Sequence, residues 1–262
     1  MNIPLLGASI GASAALTAQI VSHWLTKRRE KEKNVREIYQ KLYAPVILDV
    51  ISYFDIATNF RKMHDIKDNV SEQTIQENIK KHVANNLMYA SPRLLNSLHN
   101  VKKNDYYEDF SDGESMLREL EMFLITLDEL LKHSKKMEFF DEDFKRNIVR
   151  YEVLYIVWMA SLSFFGSFNV ATQFISYNFY FDKQFSNIKT FEKVNNLYYD
   201  KKTKVGRLKE FFCKNRKNQY KRYTRAEFET LLTFVWDIEK DKVEFNRIID
   251  MFLEEIGEPD RE

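Results

Sequence analysis

Residues 153–181, VLYIVWMASLSFFGSFNVATQFISYNFYF, contain no charged side chain, and this run decides the fold. A run of this kind is either the central helix of a bundle or a segment that crosses a membrane. Only its first 16 residues, Val153 to Phe168, are strongly apolar, and a membrane-spanning helix needs about 20 such residues. The sequence therefore favours a buried core helix, or a pair of helices broken near Gly166, over a membrane-embedded segment.

The composition of the whole chain also indicates helices. Its 262 residues include only six glycines and four prolines, far below average usage. Cofactor-binding α/β folds with glycine-rich turns, and all-β folds with a turn every few residues, are therefore disfavoured. Cys213 is the only cysteine, which excludes intramolecular disulfides and cysteine-based zinc sites and favours a reducing compartment. We predict an all-α protein.

The segments before the uncharged run show the spacing of apolar residues, every three or four positions, that a core-facing helix requires. One such helix begins near Glu30, and Pro45 inside it predicts a kink or break near residues 43–44. Another helix is predicted from Ser71, with an apolar stripe that reaches Leu87.

The clearest amphipathic helix covers residues 116–131. Capping boxes, in which Ser or Thr is followed three residues later by Glu, mark helix starts at Ser111 and Thr224. The second of these begins a C-terminal helix that we predict over residues 224–257. No fixed-period repeat and no low-complexity linker divides the helices. We therefore predict a single, bundle-like helical domain over residues 30–262.

The N-terminal residues 1–26 carry no formal charge. At helical rise, Ile3–Leu25 is long enough to cross a hydrocarbon layer of roughly 30 Å. Basic residues follow this segment rather than precede it, which is not the order found in a cleaved signal peptide. We predict a transmembrane helix within a membrane anchor over residues 1–29; the alternative is a buried N-terminal helix of a soluble bundle. The predicted interfacial residues are Trp24, Lys27, Arg28 and Arg29.

The order of charges predicts the topology of the anchor as well. By the positive-inside rule, the N-terminus faces out and the domain lies in the cytoplasm, as in a single-pass membrane protein. Gly7 and Gly11 form a GxxxG pattern, which permits close pairing of anchor helices and hence a homo-oligomer.

Common catalytic and cofactor motifs are absent from the sequence. It contains no GxxxxGK[ST], GxGxxG, GxSxG or HExxH pattern, and none of the Glu-x-x-His pairs that hold two metals in helical bundles. Glu129 and His133 lie four residues apart, and we interpret them as part of a solvated helix face. Asp141 and the two acidic residues after it are interpreted as a helix cap. We predict neither a metal nor a cofactor.

One pair of residues suggests an enzyme. Arg93 and His99 are six residues apart, with Asn96 between them. This spacing resembles the Arg-x(4–6)-His motif of all-helical RNases of the HEPN class. The resemblance implies that His99 would transfer protons and that Arg93 would stabilise phosphate charge.

The strongest electrostatic feature is a basic segment, residues 183–225. It holds 14 Lys and Arg against three acidic residues, a net charge of +11, whereas residues 226–262 have a net charge of −8. Aromatic residues lie among the cations. In such a segment the cations can hold phosphates by charge, and the rings can contact bases or acyl chains. The candidate binding residues are Lys201, Lys202, Lys204, Arg207, Phe211, Lys214, Arg216, Lys217, Tyr220, Lys221, Arg222 and Tyr223.

Three interpretations of the basic segment remain open. It could bind single-stranded nucleic acid. It could instead bind anionic lipid, since basic residues next to a membrane are attracted to an anionic leaflet. Finally, it could pair with the acidic C-terminal helix of its own domain or remain a solvated loop.

The overall layout adds a resemblance at the level of organisation. An uncharged N-terminal span, the basic run KRREKEK at residues 27–33 and a helical domain rich in Lys, Asn, Phe and Tyr resemble membrane-anchored abortive-infection (phage-resistance) proteins of low-GC bacteria. The resemblance implies a bacterial cell membrane and a role in phage resistance. Our leading hypothesis is a non-enzymatic, membrane-tethered protein that binds nucleic acid or anionic lipid. The alternatives are a HEPN-like RNase using Arg93 and His99, and an oligomeric membrane scaffold.

Overall fold

The prediction of an all-α fold is confirmed for the part of the chain that the structure describes. The structure is a computed structural model that describes residues 3–59, 66–104, 106, 112–134, 141–177, 193–194, 223–233, 235–236 and 242–256, with the backbone alone for 3–16 and 112. No strand occurs among these residues. The helices are α1 (Ile3–Ile38), α2 (Ile47–Ala57), α3 (Glu72–Asn85), α4 (Pro92–Lys103), α5 (Asp112–Ser134), α6 (Glu142–Phe165), α7 (Phe168–Ser176), α8 (Arg225–Leu232) and α9 (Lys242–Ile256).

The uncharged run forms α7 and most of α6, the central helix of the domain. Asp141 caps the start of α6, where its carboxylate accepts the amide of Phe144 at 2.6 Å. Gly166 ends it in the left-handed conformation, φ 72°, which favours glycine. The predicted helix cap and the predicted break near Gly166 are both confirmed.

Helix α6 is also the candidate for a membrane span. Among the described residues it is the one helix long and apolar enough to cross a membrane, and 83% of its most apolar window is buried inside the domain. Burial of this extent is what the central helix of a bundle requires. The interpretation of this run as a core helix therefore agrees with the packing.

Trp158 of α6 is the centre of the core. Its side chain is fully buried, and its indole nitrogen donates a hydrogen bond to the Thr172 hydroxyl at 3.2 Å. Aromatic rings surround it in stacked, tilted and edge-to-face arrangements, and such pairs stabilise the core beyond the area they bury. The rings within 6.1 Å of the Trp158 ring are those of Tyr53, Phe54, Tyr155 and Phe168.

Pro45 breaks the first helix as predicted. Proline has no amide hydrogen and clashes with the carbonyl four residues before it, so regular α-helical bonding cannot continue. The chain instead forms a π-helical turn over Tyr39–Tyr43, in which the Ala44 amide donates to the Tyr39 carbonyl at 2.9 Å. A short non-helical stretch then leads into α2.

Two details of the helix predicted from Ser71 are wrong: where it ends and the place of Leu87. Helix α3 ends at Asn85, because the Asn86 side chain and amide donate to the carbonyls of His82 and Val83. Leu87 therefore falls in a separate 3₁₀ turn, Leu87–Tyr89, where it is exposed rather than part of the α3 stripe.

The predicted C-terminal helix over residues 224–257 is split in two. Its capping box is confirmed, since the Thr224 hydroxyl accepts the Glu227 amide and Glu227 accepts the Thr224 amide. However, α8 ends at Leu232, whose carbonyl accepts the amides of Val235 and Trp236. Both of these side chains turn into the core, which interrupts the helix before α9 begins. The other predicted capping box begins at Ser111, which lies outside the described residues.

Candidate functional site

Helix α1 projects from the domain. All 18 residues from Thr17 to Asn34 are exposed, and Val35 is the first buried residue among the side chains of α1 that the structure describes. At 1.5 Å per residue, this exposed length is about 27 Å. Helices of soluble domains normally bury one face, so a helix exposed on every side needs another environment to stabilise it.

The exposed part of α1 carries large apolar side chains. Ile20 is 69% exposed and Trp24 is 59% exposed. The Arg28 guanidinium lies 5.9 Å from the centre of the Trp24 ring and forms an ion pair with Glu32 at 3.0 Å. An aromatic ring followed one turn later by a cation is typical of the end of a membrane span, and the interface at Trp24 and Arg28 stays a prediction. The other two predicted interfacial residues are also exposed: Lys27 and Arg29.

The candidate RNase pair is divided between two faces of α4. Arg93 is half-buried and forms an ion pair with Asp128 of α5, which Lys132 also contacts at 2.7 Å. His99 is exposed. Six residues in an α-helix correspond to a rotation of about 240°, so the two side chains point in different directions. The structure does not bring them together.

A polar cluster that the sequence did not reveal lies next to Arg93. The Tyr43 hydroxyl donates to one carboxylate oxygen of Glu129 at 2.6 Å, and the Ser91 hydroxyl donates to the other. Glu129 is only 7% exposed. Burial, followed by the charge of Glu129, raises the pKa of Tyr43 well above its usual range. The prediction that Glu129 and His133 form a solvated helix face is therefore wrong; the His133 ring packs 5.4 Å from the Tyr43 ring.

Most of the basic segment lies outside the described residues, including the candidate binding residues from Lys201 to Arg222. Tyr223 is described. It is half-buried and packs against the core, and this burial raises the pKa of its phenol, as does the charge of Glu227. Part of its ring is thus already covered. At the same end of the segment, Arg225 donates to Asp250 of α9 at 2.9 Å and to Asn246 at 3.0 Å.

The described residues contain no group of three His, Cys, Asp or Glu side chains that could hold a metal ion. Comparisons of this chain with protein families, curated proteins and solved structures found no match. What the protein does must therefore be inferred from the geometry and the charge of the chain itself.

His99→Ala is expected to leave the urea unfolding midpoint unchanged, because an exposed side chain contributes little to stability. It is also expected to leave any RNA binding unchanged, because Arg93 and His99 point in different directions. The measurement is RNA binding and RNA cleavage by the purified full chain. Arg93→Ala is the comparison: it is expected to lower the free energy of unfolding by roughly 1–3 kcal/mol, because it removes a charged partner from the largely buried Asp128. RNA cleavage by the parent that disappears in stably folded His99→Ala would contradict this and favour the RNase hypothesis.

Proposed function

We propose that this protein is a non-enzymatic binding protein of the bacterial cell membrane. In this proposal α1 is a single membrane span with its N-terminus outside, and the helical domain lies in the cytoplasm. The proposal depends mainly on the exposed part of α1. From Thr17 to Asn34 this helix extends away from the domain, and all of its residues are exposed. Residues 1–26, which include the first part of this exposed helix, carry no formal charge and are long enough to cross a bilayer.

The arrangement of charges on α1 supports this orientation. Trp24 favours the interface between lipid and water, and Lys27, Arg28 and Arg29 follow it within about one and a half helical turns. Lys27 to Asn34 then form a charged stalk of about 12 Å, at helical rise, that would hold the domain away from the bilayer.

We propose single-stranded nucleic acid as the ligand of the basic segment. Its net charge of +11 is concentrated in 43 residues of an otherwise nearly neutral chain. Aromatic residues between the cations offer stacking surfaces for bases. Together with the resemblance of the layout to abortive-infection proteins, this suggests a role in phage resistance, in which the protein captures nucleic acid at the inner face of the membrane.

Charge reversal tests this ligand. The full chain in nanodiscs of neutral lipid is expected to bind single-stranded RNA with an affinity that falls steeply as salt rises. Replacing Lys214, Arg216 and Lys217 with Glu is expected to weaken binding. It should also reduce the slope of log K against log salt by about 2, since each phosphate contact on a single strand contributes about 0.7. Replacing Phe211 and Tyr220 with Ala should lower affinity with little change in slope, because stacking is not ionic.

The matched control makes the same change in charge elsewhere. Lys41, Lys67 and Lys81 have exposed side chains in the described domain, and their replacement with Glu is expected to leave the salt slope close to that of the parent. If both variants lose RNA affinity equally, net charge alone governs binding. If the parent ignores RNA at low salt but binds vesicles that contain anionic lipid, the basic segment is a lipid-binding surface. Binding to neither would favour internal pairing with the acidic C-terminal part of the chain.

A further inference from the structure

The last turn of α1 and the π-helical turn Tyr39–Tyr43 that follows it, together the base of α1, are held by polar contacts from three separate parts of the domain. His82 of α3 donates its Nε2 hydrogen to the Lys41 carbonyl at 3.0 Å. Tyr89 of the 3₁₀ turn donates its hydroxyl hydrogen to Glu37 at 3.1 Å. Tyr43 donates to Glu129 of α5, as described above. Apolar side chains such as Val35 also pack against the core.

Pro45 explains why the Lys41 carbonyl is available to His82. In a regular α-helix this carbonyl would accept the amide of the residue four positions later, and that residue is Pro45. The missing amide leaves this carbonyl without its helical donor and open to another donor. His82 supplies that donor. The π-helical turn and the His82 contact are therefore two consequences of one residue.

Glu129, which accepts the Tyr43 hydroxyl, also contacts the start of α4. Glu129 accepts hydrogen bonds from both Tyr43 and Ser91. Ser91 is the N-cap of α4, and its hydroxyl oxygen accepts the amide of Leu94 at 3.1 Å. An N-cap of this kind satisfies one of the free amides in the first turn of the helix. The same carboxylate thus links the base of α1 to the first turn of α4.

We propose that the junction of Tyr43, Glu129 and Ser91 is a relay that couples the helical register of α1 at Pro45 to the stability of the first turn of α4. In the π-helical register, the Tyr43 phenol meets Glu129, and Glu129 orients Ser91 as a cap. In an α-helical register, Tyr43 has a different angular position and Glu129 loses that donor, so the cap loosens. Movement of the stalk that changes this register is transmitted to α4. The relay is a property of the junction and holds whether or not α1 lies in a membrane.

Amide hydrogen exchange of the full chain tests the relay, with the Leu94 amide as the probe. Tyr43→Phe removes one donor to Glu129, and the Leu94 amide is expected to exchange about tenfold faster, the effect of one lost hydrogen bond. Pro45→Ala keeps Tyr43, Glu129 and Ser91 but restores an amide that competes with His82 for the Lys41 carbonyl. It is expected to accelerate exchange at Leu94 as well, although the substitution is remote from α4.

Tyr155→Phe is the matched control. Tyr155 is a fully buried tyrosine whose hydroxyl donates to the Val50 carbonyl at 2.7 Å, with no contact to Ser91 among the described hydrogen bonds. It is expected to destabilise the core without a selective effect at Leu94. Selective acceleration in both Tyr43→Phe and Pro45→Ala supports the relay. No acceleration in Pro45→Ala, or equal acceleration in Tyr155→Phe, overturns it.

Discussion

Trp158→Ala is expected to lower the free energy of unfolding of the domain by about 3–5 kcal/mol, the cost usually found when a buried tryptophan is truncated. The side chain is fully buried, four aromatic rings surround it, and its indole nitrogen is hydrogen-bonded. The substitution leaves a cavity beside α6 and removes the hydrogen bond to the Thr172 hydroxyl of α7. Because domains are stable by only about 5–15 kcal/mol, this loss should shift the urea midpoint of the full chain in mild detergent, followed by far-UV circular dichroism, to much lower urea.

Trp24→Ala is the matched control, since it makes the same truncation at an exposed position of α1. The contact that it removes among the described residues is the one with Arg28, so it is expected to change the unfolding free energy by less than about 1 kcal/mol. A Trp158→Ala protein with an unchanged urea midpoint but weaker retention in membranes would contradict the assignment of α6 to the core. It would indicate instead that α6 is a membrane-embedded helix.

The core helix could be predicted because its signal is local. Absence of charge over residues 153–181 and a glycine at position 166 are visible without knowledge of the partners. The break at Pro45 is also a local signal, since the missing amide hydrogen disrupts regular α-helical bonding. The choice between a core helix and a span depends on packing instead, because α6 is long and apolar enough to cross a membrane, and 83% of its most apolar window is buried inside the domain.

The polar cluster could not be predicted, because it depends on pairs that are distant in the sequence. Glu129 is a charged residue in a segment rich in charge, and sequence reasoning places such a residue in solvent. Its partner Tyr43 lies 86 positions earlier. Only the packing of α5 against the base of α1 brings the phenol to the carboxylate. The same limit applies to Arg93, whose ion pair with Asp128 joins different helices.

The split between α8 and α9 shows a different limit. An apolar stripe with helical spacing continues through Val235, and neither Gly nor Pro separates the two helices. Periodicity reports which residues are buried and not whether the backbone between them is helical. Val235 and Trp236 are indeed buried, as the stripe predicts, but they lie in the turn that follows α8.

Removing residues 1–26 is expected to convert a protein that pellets with membranes into one that remains in solution with its domain folded. The deletion removes the uncharged segment, and the deleted residues whose side chains the structure describes, 17–26, are all exposed. The truncated chain should keep its helical circular dichroism and its urea midpoint. A second variant keeps the length of α1: Ile10→Lys with Leu16→Lys should disfavour insertion by roughly 5–7 kcal/mol, since each central lysine costs about 2.5–3.5 kcal/mol.

Alkaline extraction of membranes from cells that express the full chain, the truncated chain and the double lysine variant tests the anchor most directly. The full chain is expected to stay in the membrane pellet after extraction, whereas the truncated chain and the lysine variant are expected in the supernatant. A truncated chain that still resists alkaline extraction would contradict it, because the anchor would then lie in the remaining chain, with α6 as the first candidate.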